Sequence, residues 1–240
     1  MKGPGFLLRN ARVPVGADRT IPSDLLISDE GRILEIGPRI DARGATPTDL
    51  DGGLVIPGLI DMHQHLDKSS TLTQAPNADG TLLGAIQAFR EYSKGLEPQD
   101  ILARAQVTLD KCIDRGTCAI RTHVNVDHEL GLKSIEAITQ LRADNRKRIH
   151  LQIVAFATSS AARGDPEHAR QLLEGAIAAG ADCIGGTPNL APDPRQYIEM
   201  LLDVAEKHDR LVDVHIDETL DPEARWFDAL VQSTRRRGLG

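Results

Sequence analysis

GLIDMHQHLDK, residues 58–68, joins a short apolar run to two histidines that lie two positions apart. In a β-strand the side chains of residues i and i+2 point to the same face, so His63 and His65 are predicted to project together from the end of a strand. Two neighbouring imidazoles form half of a typical metal site. Because the same spacing also occurs by chance in exposed strands, a metal site here needs support from the rest of the chain.

After this stretch the chain alternates between short apolar runs and longer segments with helical periodicity. In residues 98–115, for example, Ile101, Ala105, Leu109 and Cys112 recur at approximately helical spacing. Apolar strands that alternate with helices predict a parallel sheet in an α/β fold. The predicted strands are 58–65, 118–124, 150–156, 182–186 and 211–216. The predicted helices are 81–94, 98–115, 132–144, 166–179, 194–208 and 222–236.

The residues before this region form a separate, β-rich segment. Two predicted strands flank Asp29-Glu30-Gly31, which has the composition of a hairpin turn. The predicted strands of this segment are Phe6–Val13, Asp24–Ser28 and Arg32–Ile36. The change of pattern predicts a domain boundary near residue 52, with residues 1–52 and 53–240 as the two parts.

Two architectures fit five strand–helix units. One is an open, doubly wound sheet, and the other is a (β/α)₈ barrel of which only part is present. Polar chemistry at the C-terminal ends of several strands is expected in both. The open sheet usually carries a glycine-rich phosphate loop after its first strand, and here that position holds His63-Gln64-His65 instead.

Composition excludes several classes of partner. The net charge of −7 argues against nucleic acid or an anionic membrane surface as the main partner. The sequence contains no apolar run of membrane-spanning length, and its N-terminus lacks the apolar core of a signal peptide. Its 3 cysteines form no Cys-x-x-Cys pair, so we expect a reduced, cytoplasmic protein.

A third histidine, His215, lies at the end of the fifth predicted strand. On its own, a histidine at a strand end is more often a hydrogen-bonded structural residue than a ligand. Glu218 follows three residues later, where the strand should give way to a loop. A carboxylate just beyond a ligating histidine is well placed as a general base, whereas the alternative role of Glu218 is to cap the next helix or to face solvent.

Further polar residues lie near the ends of the first two strands. Arg121, His123 and Asn125 alternate on one face of the second strand, where they would line a barrel mouth, hold ligands in place, or form an ordinary hydrogen-bonded strand end. Asp67 and Lys68 directly follow the histidine pair. They are expected either to pair with each other on the surface or, for Asp67, to orient a histidine.

Several common catalytic signatures are absent. The chain has no Walker A loop, no His-Glu-x-x-His, no Gly-x-Ser-x-Gly and no Pro-Cys-x-x-Cys of the small zinc deaminases. Gly185 and Gly186, after the fourth strand, offer no side chain to a metal. A lysine at that place would be available to bridge two metals after carbamylation, so its absence favours one metal.

Taken together, four ordered segments of the chain resemble the amidohydrolase superfamily, and in particular its bacterial cytosine deaminase-like branch, which includes N-isopropylammelide amidohydrolase. The segments are residues 58–68, 121–127, 151–156 and 212–218. The resemblance covers the whole chain. It implies a metal-dependent (β/α)₈ TIM-type barrel with a flanking β-sandwich built from both chain ends. Residues 1–52 would then supply part of the sandwich, and residues 53–240 the first five βα units.

The same resemblance implies a function. His63, His65 and His215 match the family's metal ligands, and Glu218 matches its proton-shuttling acid/base. One divalent ion, Zn²⁺ or Fe²⁺, would activate a water that attacks an amino-substituted nitrogen heterocycle such as a pyrimidine, pterin or triazine, with release of ammonia. The alternatives are an amidohydrolase that cleaves a cyclic amide or an N-alkyl amine, and an inactive fragment or binding scaffold.

Two departures from the family pattern matter. Bacterial cytosine deaminases carry a substrate-binding glutamine where this chain has Thr158, and threonine cannot span the same pair of ring atoms, which puts cytosine itself in doubt. Thr158, Asp67, Lys68 and His123 are therefore the candidate substrate-binding residues. The family also continues with a strand-6 histidine and a strand-8 aspartate, which lie beyond Gly240, so residues 1–240 alone are not expected to form a stable, active monomer. Homo-oligomers are usual in the family.

Overall fold

The structure is a computed structural model that describes residues 4–158 and 166–239. It divides into two compact units, Met1–Gly58 and Leu59–Gly240. Within the described ranges, no helix has both the length and the apolar character needed to cross a membrane.

The first unit contains a four-stranded sheet. Its strands are β1 Pro4–Pro14, β2 Thr20–Ser28, β3 Ile33–Gly37 and β4 Thr46–Asp49. Their order is β3-β2-β1-β4, with β1 antiparallel to β2 and parallel to β4. The apolar core of this unit consists of Leu7, Leu26, Ile40 and Ala45.

Two details of this unit follow from local sequence. The predicted hairpin turn lies between β2 and β3, and Gly31 takes a positive φ of 79° there, a conformation that glycine adopts without steric cost. The fourth strand was not predicted, because its four residues are polar or proline and all are exposed. A strand with no buried face leaves no alternation in the sequence.

The second unit is built around a five-stranded parallel sheet. Its strands are β5 Leu59–Gln64, β6 Thr117–Val126, β7 His150–Ala157, β8 Cys183–Gly186 and β9 Leu211–Val212. The helices are α1 Leu82–Ser93, α2 Pro98–Asp114, α3 Lys133–Asn145, α4 Pro166–Ala178, α5 Pro194–His208 and α6 Trp226–Arg237. A short 3₁₀ turn, Leu66–Lys68, directly follows the histidine pair.

The order of these strands distinguishes between the two predicted architectures. Neighbouring strands in the sheet are always consecutive in the chain, from β5 to β9, and every pairing is parallel. A doubly wound sheet reverses its strand order at a switch point, whereas a barrel adds each new strand beside the last. The described part of the sheet therefore follows the barrel order.

The core of this unit lies between the sheet and the helices that cover it. Apolar residues of β6 and β7, such as Val124 and Ile153, are fully buried against Leu109 of α2 and Ile138 of α3. Burial of each such side chain contributes about 1.5–3 kcal/mol to stability. This packing holds the C-terminal ends of the strands at one edge of the sheet, where His63 and His65 also lie.

The end of β9 and the start of α6 differ from the predicted boundaries. The predicted strand 211–216 contains only two residues of regular strand, although the backbone N–H groups of Asp213 and His215 still donate to the carbonyls of Ile184 and Gly186 at 2.9 and 3.0 Å. The helix predicted from residue 222 begins at Trp226, because the Asp217 carboxylate accepts hydrogen bonds from the first two N–H groups of that helix.

At Gly185 in β8 there is no room for a side chain, because the backbone that follows β9 lies too close. A Cβ at this position would lie 1.9 Å from the carbonyl oxygen of Asp213. We expect Gly185→Ala to lower the free energy of unfolding by about 1–3 kcal/mol, because the backbone after β9 must move away. Urea denaturation measures this change, with Gly95→Ala as the control because no atom lies within 4 Å of its Cβ position. Equal losses in the two variants would contradict this prediction.

Candidate metal centre and cavity

His63, His65 and His215 meet at one end of the parallel sheet. His63 lies in β5, His65 follows that strand directly, and His215 continues the chain from β9. One nitrogen from each ring lies within 4.8 Å of the other two, and the Nε2 atoms of His63 and His215 are 3.1 Å apart. Two ligands of one tetrahedral zinc lie about 3.3 Å apart, so these separations fit a single ion. The three imidazoles form a donor set that suits Zn²⁺ or Fe²⁺.

The surroundings of His65 and His215 keep both imidazoles in the neutral form, which is the form that binds a metal. The Nδ1 of His65 donates to the backbone carbonyl of His123 at 3.1 Å, which leaves its Nε2 as the free ligand atom. Burial, followed by the charge of Lys68, lowers the pKa of His65 to about 2. Burial and neighbouring histidines lower the pKa of His215 to about 4. Both imidazoles are therefore neutral at pH 7, as metal binding requires.

The Asp213 side chain forms hydrogen bonds that connect strands close to the three histidines. Its carboxylate accepts hydrogen bonds from His123 Nε2 at 3.0 Å and from Arg121 Nη1 at 2.7 Å, and Arg121 Nε also donates to Gln152 at 2.7 Å. The His123 bond, together with Arg121, lowers the pKa of Asp213 to about 2, so the carboxylate is ionised. Strands β6, β7 and the extension of β9 are thus linked by one polar network.

Sequence reasoning missed Asp213, although a signal for it was present. Asp213 and His215 are two residues apart on the same extended segment, so they share one face. His123 was predicted as a candidate substrate contact. It is fully buried, binds Asp213, and is not among the residues that line the cavity described next.

A cavity of about 880 Å³ opens beside the histidines. His65, His215 and Glu218 line one part of it, so the predicted acid/base and two of the predicted ligands face the same space. Its other polar residues include Lys68, Asn125, Asp127 and Thr158. Phe156, Phe89 and several leucines supply apolar walls.

Glu218 reaches this cavity through a sharp turn of the backbone. The preceding residue, Asp217, has a positive φ of 56°, which is uncommon for a residue other than glycine. Its carboxylate binds the N–H groups of Trp226 and Phe227 and so fixes the turn at the start of α6. The helix-capping role considered for Glu218 is therefore filled by Asp217, and Glu218 itself is exposed in the cavity.

Asp67 and Lys68 do not pair on the surface, which corrects one of the two expectations for them. Asp67 is only 1% exposed and accepts a hydrogen bond from the backbone N–H of Asn125 at 2.9 Å. Burial raises the pKa of this carboxyl. It does not line the cavity, whereas Lys68 does and donates to the Asn125 side-chain oxygen at 3.0 Å.

Thr158 lines the cavity at the end of β7. Its hydroxyl lies 3.5 Å from the carboxylate of Asp127, whose pKa is raised by burial. Ser159 and Ser160, which follow Thr158 in the sequence, lie outside the described residues. Substrate binding by Thr158 stays a prediction.

Comparison with known proteins gives this geometry a context. A sequence model described as the amidohydrolase family matches residues 48–164. Pterin deaminase of Rhizobium rhizogenes is 28% identical over 245 residues, an alignment that covers 98% of this chain and 55% of the relative. The chain thus spans about half the length of this curated relative.

Two solved structures share the fold. A 5-methylcytosine deaminase from Klebsiella pneumoniae, liganded with 5-fluorocytosine, has a TM-score of 0.86 and 30% identity, and the match covers 98% of this chain and 56% of that one. An N-isopropylammelide isopropylaminohydrolase from Burkholderia multivorans has a TM-score of 0.81 and 32% identity, with coverages of 99% and 59%. These matches confirm the prediction of a metal-dependent-hydrolase barrel fold, of which the described strands are the first five. Together with the family match over residues 48–164, these similarities support the amidohydrolase superfamily as the family of this chain.

Proposed function

We propose that the protein is a metal-dependent aminohydrolase that removes an amino group from a nitrogen heterocycle. One observation carries the proposal: His63, His65 and His215 converge within the span of one ion, beside a cavity that also contains Glu218. The names of the relatives support the reaction class. Two of the relatives are deaminases, of pterin and of 5-methylcytosine, and the third is an isopropylaminohydrolase that acts on N-isopropylammelide.

The residues have separate tasks in this reaction. His63, His65 and His215 would hold a divalent metal, which would supply Lewis acidity and would lower the pKa of a water molecule. Glu218 accepts a proton as the water adds to the amino-bearing ring carbon, and it returns that proton to the amino nitrogen as the carbon–nitrogen bond breaks. Water thus supplies the new ring oxygen, and the amino group leaves as ammonia. The carbonyl of His123 keeps the His65 ring oriented throughout.

The cavity favours a substrate larger than a single pyrimidine. Its volume of about 880 Å³ and its apolar walls, which include Leu72, Ile86 and Phe89, leave room beyond one ring. Thr158 stands where the resemblance places a glutamine in cytosine deaminases, which also argues against cytosine. A bicyclic pterin or a substituted triazine is therefore the proposed substrate class, and Gly185-Gly186 supports one metal over two.

A panel of amino-heterocycles tests this proposal. The full-length protein, loaded with Zn²⁺ or with Fe²⁺, is expected to release ammonia from at least one pterin, triazine or pyrimidine. Ammonia, alkylamine and ring-opened acid are measured in parallel. Alkylamine would favour the second candidate, an N-alkyl amine hydrolase, which the apolar side chains of the cavity would also accommodate. Absence of all three products from a metal-loaded protein would contradict both candidates.

A further inference from the structure

Lys68 presents an unusual cation at the wall of the cavity. A lysine ammonium has three N–H donors. Among the described residues, its only hydrogen bond is to the side-chain oxygen of Asn125 at 3.0 Å, and no carboxylate lies within 4.0 Å of its Nζ. Two donors of a partly buried cation are therefore left for whatever occupies the cavity.

The surroundings of Lys68 favour a particular kind of acceptor. Burial lowers the pKa of Lys68, the charges of Asp67, Asp127 and Glu218 oppose that shift, and none of these carboxylates forms an ion pair with its ammonium. A desolvated cation with unused donors binds an oxygen that carries partial negative charge more strongly than it binds a neutral nitrogen or carbon edge. The oxo group of an azine ring is such an oxygen.

The Phe156 ring lies near both Lys68 and the two histidines His65 and His215. Its ring lies 4.5 Å from the His215 ring and 6.0 Å from the His65 ring, and Lys68 Nζ lies 5.9 Å from its centroid. The Phe89 ring lies at the same distance of 5.9 Å from Lys68 Nζ. One aromatic side chain thus separates the histidines from the ammonium, a gap that a flat heterocycle of one or two rings spans.

We propose that Lys68, held by Asn125, is a specificity-determining residue that binds a ring oxo group, so that the substrate is an oxo-bearing amino-heterocycle. The inference rests on the proposed function, because that function places the amino-bearing carbon beside the three histidines. With that carbon at the histidines, the oxo oxygen of the same ring system accepts hydrogen bonds from the free donors of Lys68. Phe156 and Phe89 provide the apolar surfaces along the ring.

A matched pair of ligands tests the assignment. Pterin carries a ring oxo group, and 2-aminopteridine is the same bicycle without it. Binding of both is measured by calorimetry with the full-length, metal-loaded protein, in a Glu218→Gln background that prevents turnover during titration. Lys68→Met is expected to weaken pterin binding by about 10- to 100-fold, the range for loss of a hydrogen bond to a charged group, and to change 2-aminopteridine binding less than about threefold.

Two further variants serve as controls. Lys68→Arg keeps the charge and is expected to retain more pterin affinity than Lys68→Met. Lys207→Met removes an exposed lysine that pairs with Glu174, and because neither residue lines the cavity it should leave both affinities unchanged. Circular dichroism checks the fold, and Lys68→Gln replaces Lys68→Met if the latter does not fold.

The outcomes separate this inference from the proposed function. Equal weakening of both ligands, no weakening of either, or binding of neither ligand by the parent protein would overturn the role of Lys68. A selective loss of pterin affinity together with no ammonia release by the wild-type protein would overturn the proposed function and leave the oxo-binding role standing.

Discussion

Glu218→Gln is expected to lower the turnover number with an amino-heterocycle by about 10²- to 10⁴-fold, the range for loss of a general acid–base. The glutamine side chain has nearly the same shape, but it cannot accept a proton from water or return one to the leaving amine. Because Glu218 is an exposed residue of the cavity, the variant should keep its fold. Steady-state kinetics, metal analysis and a thermal melt together measure these quantities.

Glu223→Gln is the matched control for this variant. Glu223 is an exposed glutamate five residues further along the same segment, and it does not line the cavity. Its substitution should leave the turnover number unchanged. If Glu218→Gln retained wild-type turnover with full metal content, Glu218 would have no part in proton transfer.

His215→Ala is expected to weaken metal binding by at least about 100-fold and to lower the turnover number by at least the same factor. Loss of a group that only supports a ligand already costs 10- to 100-fold in affinity, so loss of the ligand itself should cost more. His215 is a sensitive position, because its Nε2 lies 3.1 Å from that of His63. Metal content after dialysis against a weak chelator measures the change.

His150→Ala provides the comparison for this loss. His150 is an exposed histidine at the start of β7, and it lies outside the group formed by His63, His65 and His215. The control variant should retain wild-type metal content. Equal metal content in His215→Ala and His150→Ala would remove His215 from the proposed ligand set.

The central strands of the parallel sheet, β6, β7 and β8, are largely buried, whereas β5 and β9 at the two edges of the described sheet are not. β7 is mostly apolar, β6 alternates apolar and polar residues, and both lie between helices of clear periodicity, so the elements and their order followed from pattern. The convergence of His63 and His65 followed from the two-residue period of a strand. Their meeting with His215 was expected from the resemblance to a barrel family, because β5 and β9 lie at opposite edges of the described sheet and their ends come together only where the sheet curves.

The polar connections between strands were not predictable to the same degree. The contact of Asp213 with both Arg121 and His123 joins residues about ninety positions apart, and its geometry depends on the stagger of three strands. Asp67 offered no sequence signal of burial, because a charged residue after a strand usually faces solvent. Its burial depends on the 3₁₀ turn that directs its carboxylate toward the backbone of Asn125.

The shortness of β9 has a consequence for how the centre assembles. Only Leu211 and Val212 form regular strand, and beyond them His215 is held through a few hydrogen bonds to β8 and the network around Asp213. Segments held by so few bonds open locally at a smaller free energy than the whole domain. Under the proposed function, all three histidines would hold one ion only in molecules where this segment is docked, so the apparent metal affinity would scale with the docked fraction. We therefore expect metal binding to stabilise the docked form of the residues after β9, and any change that loosens this segment to weaken metal binding.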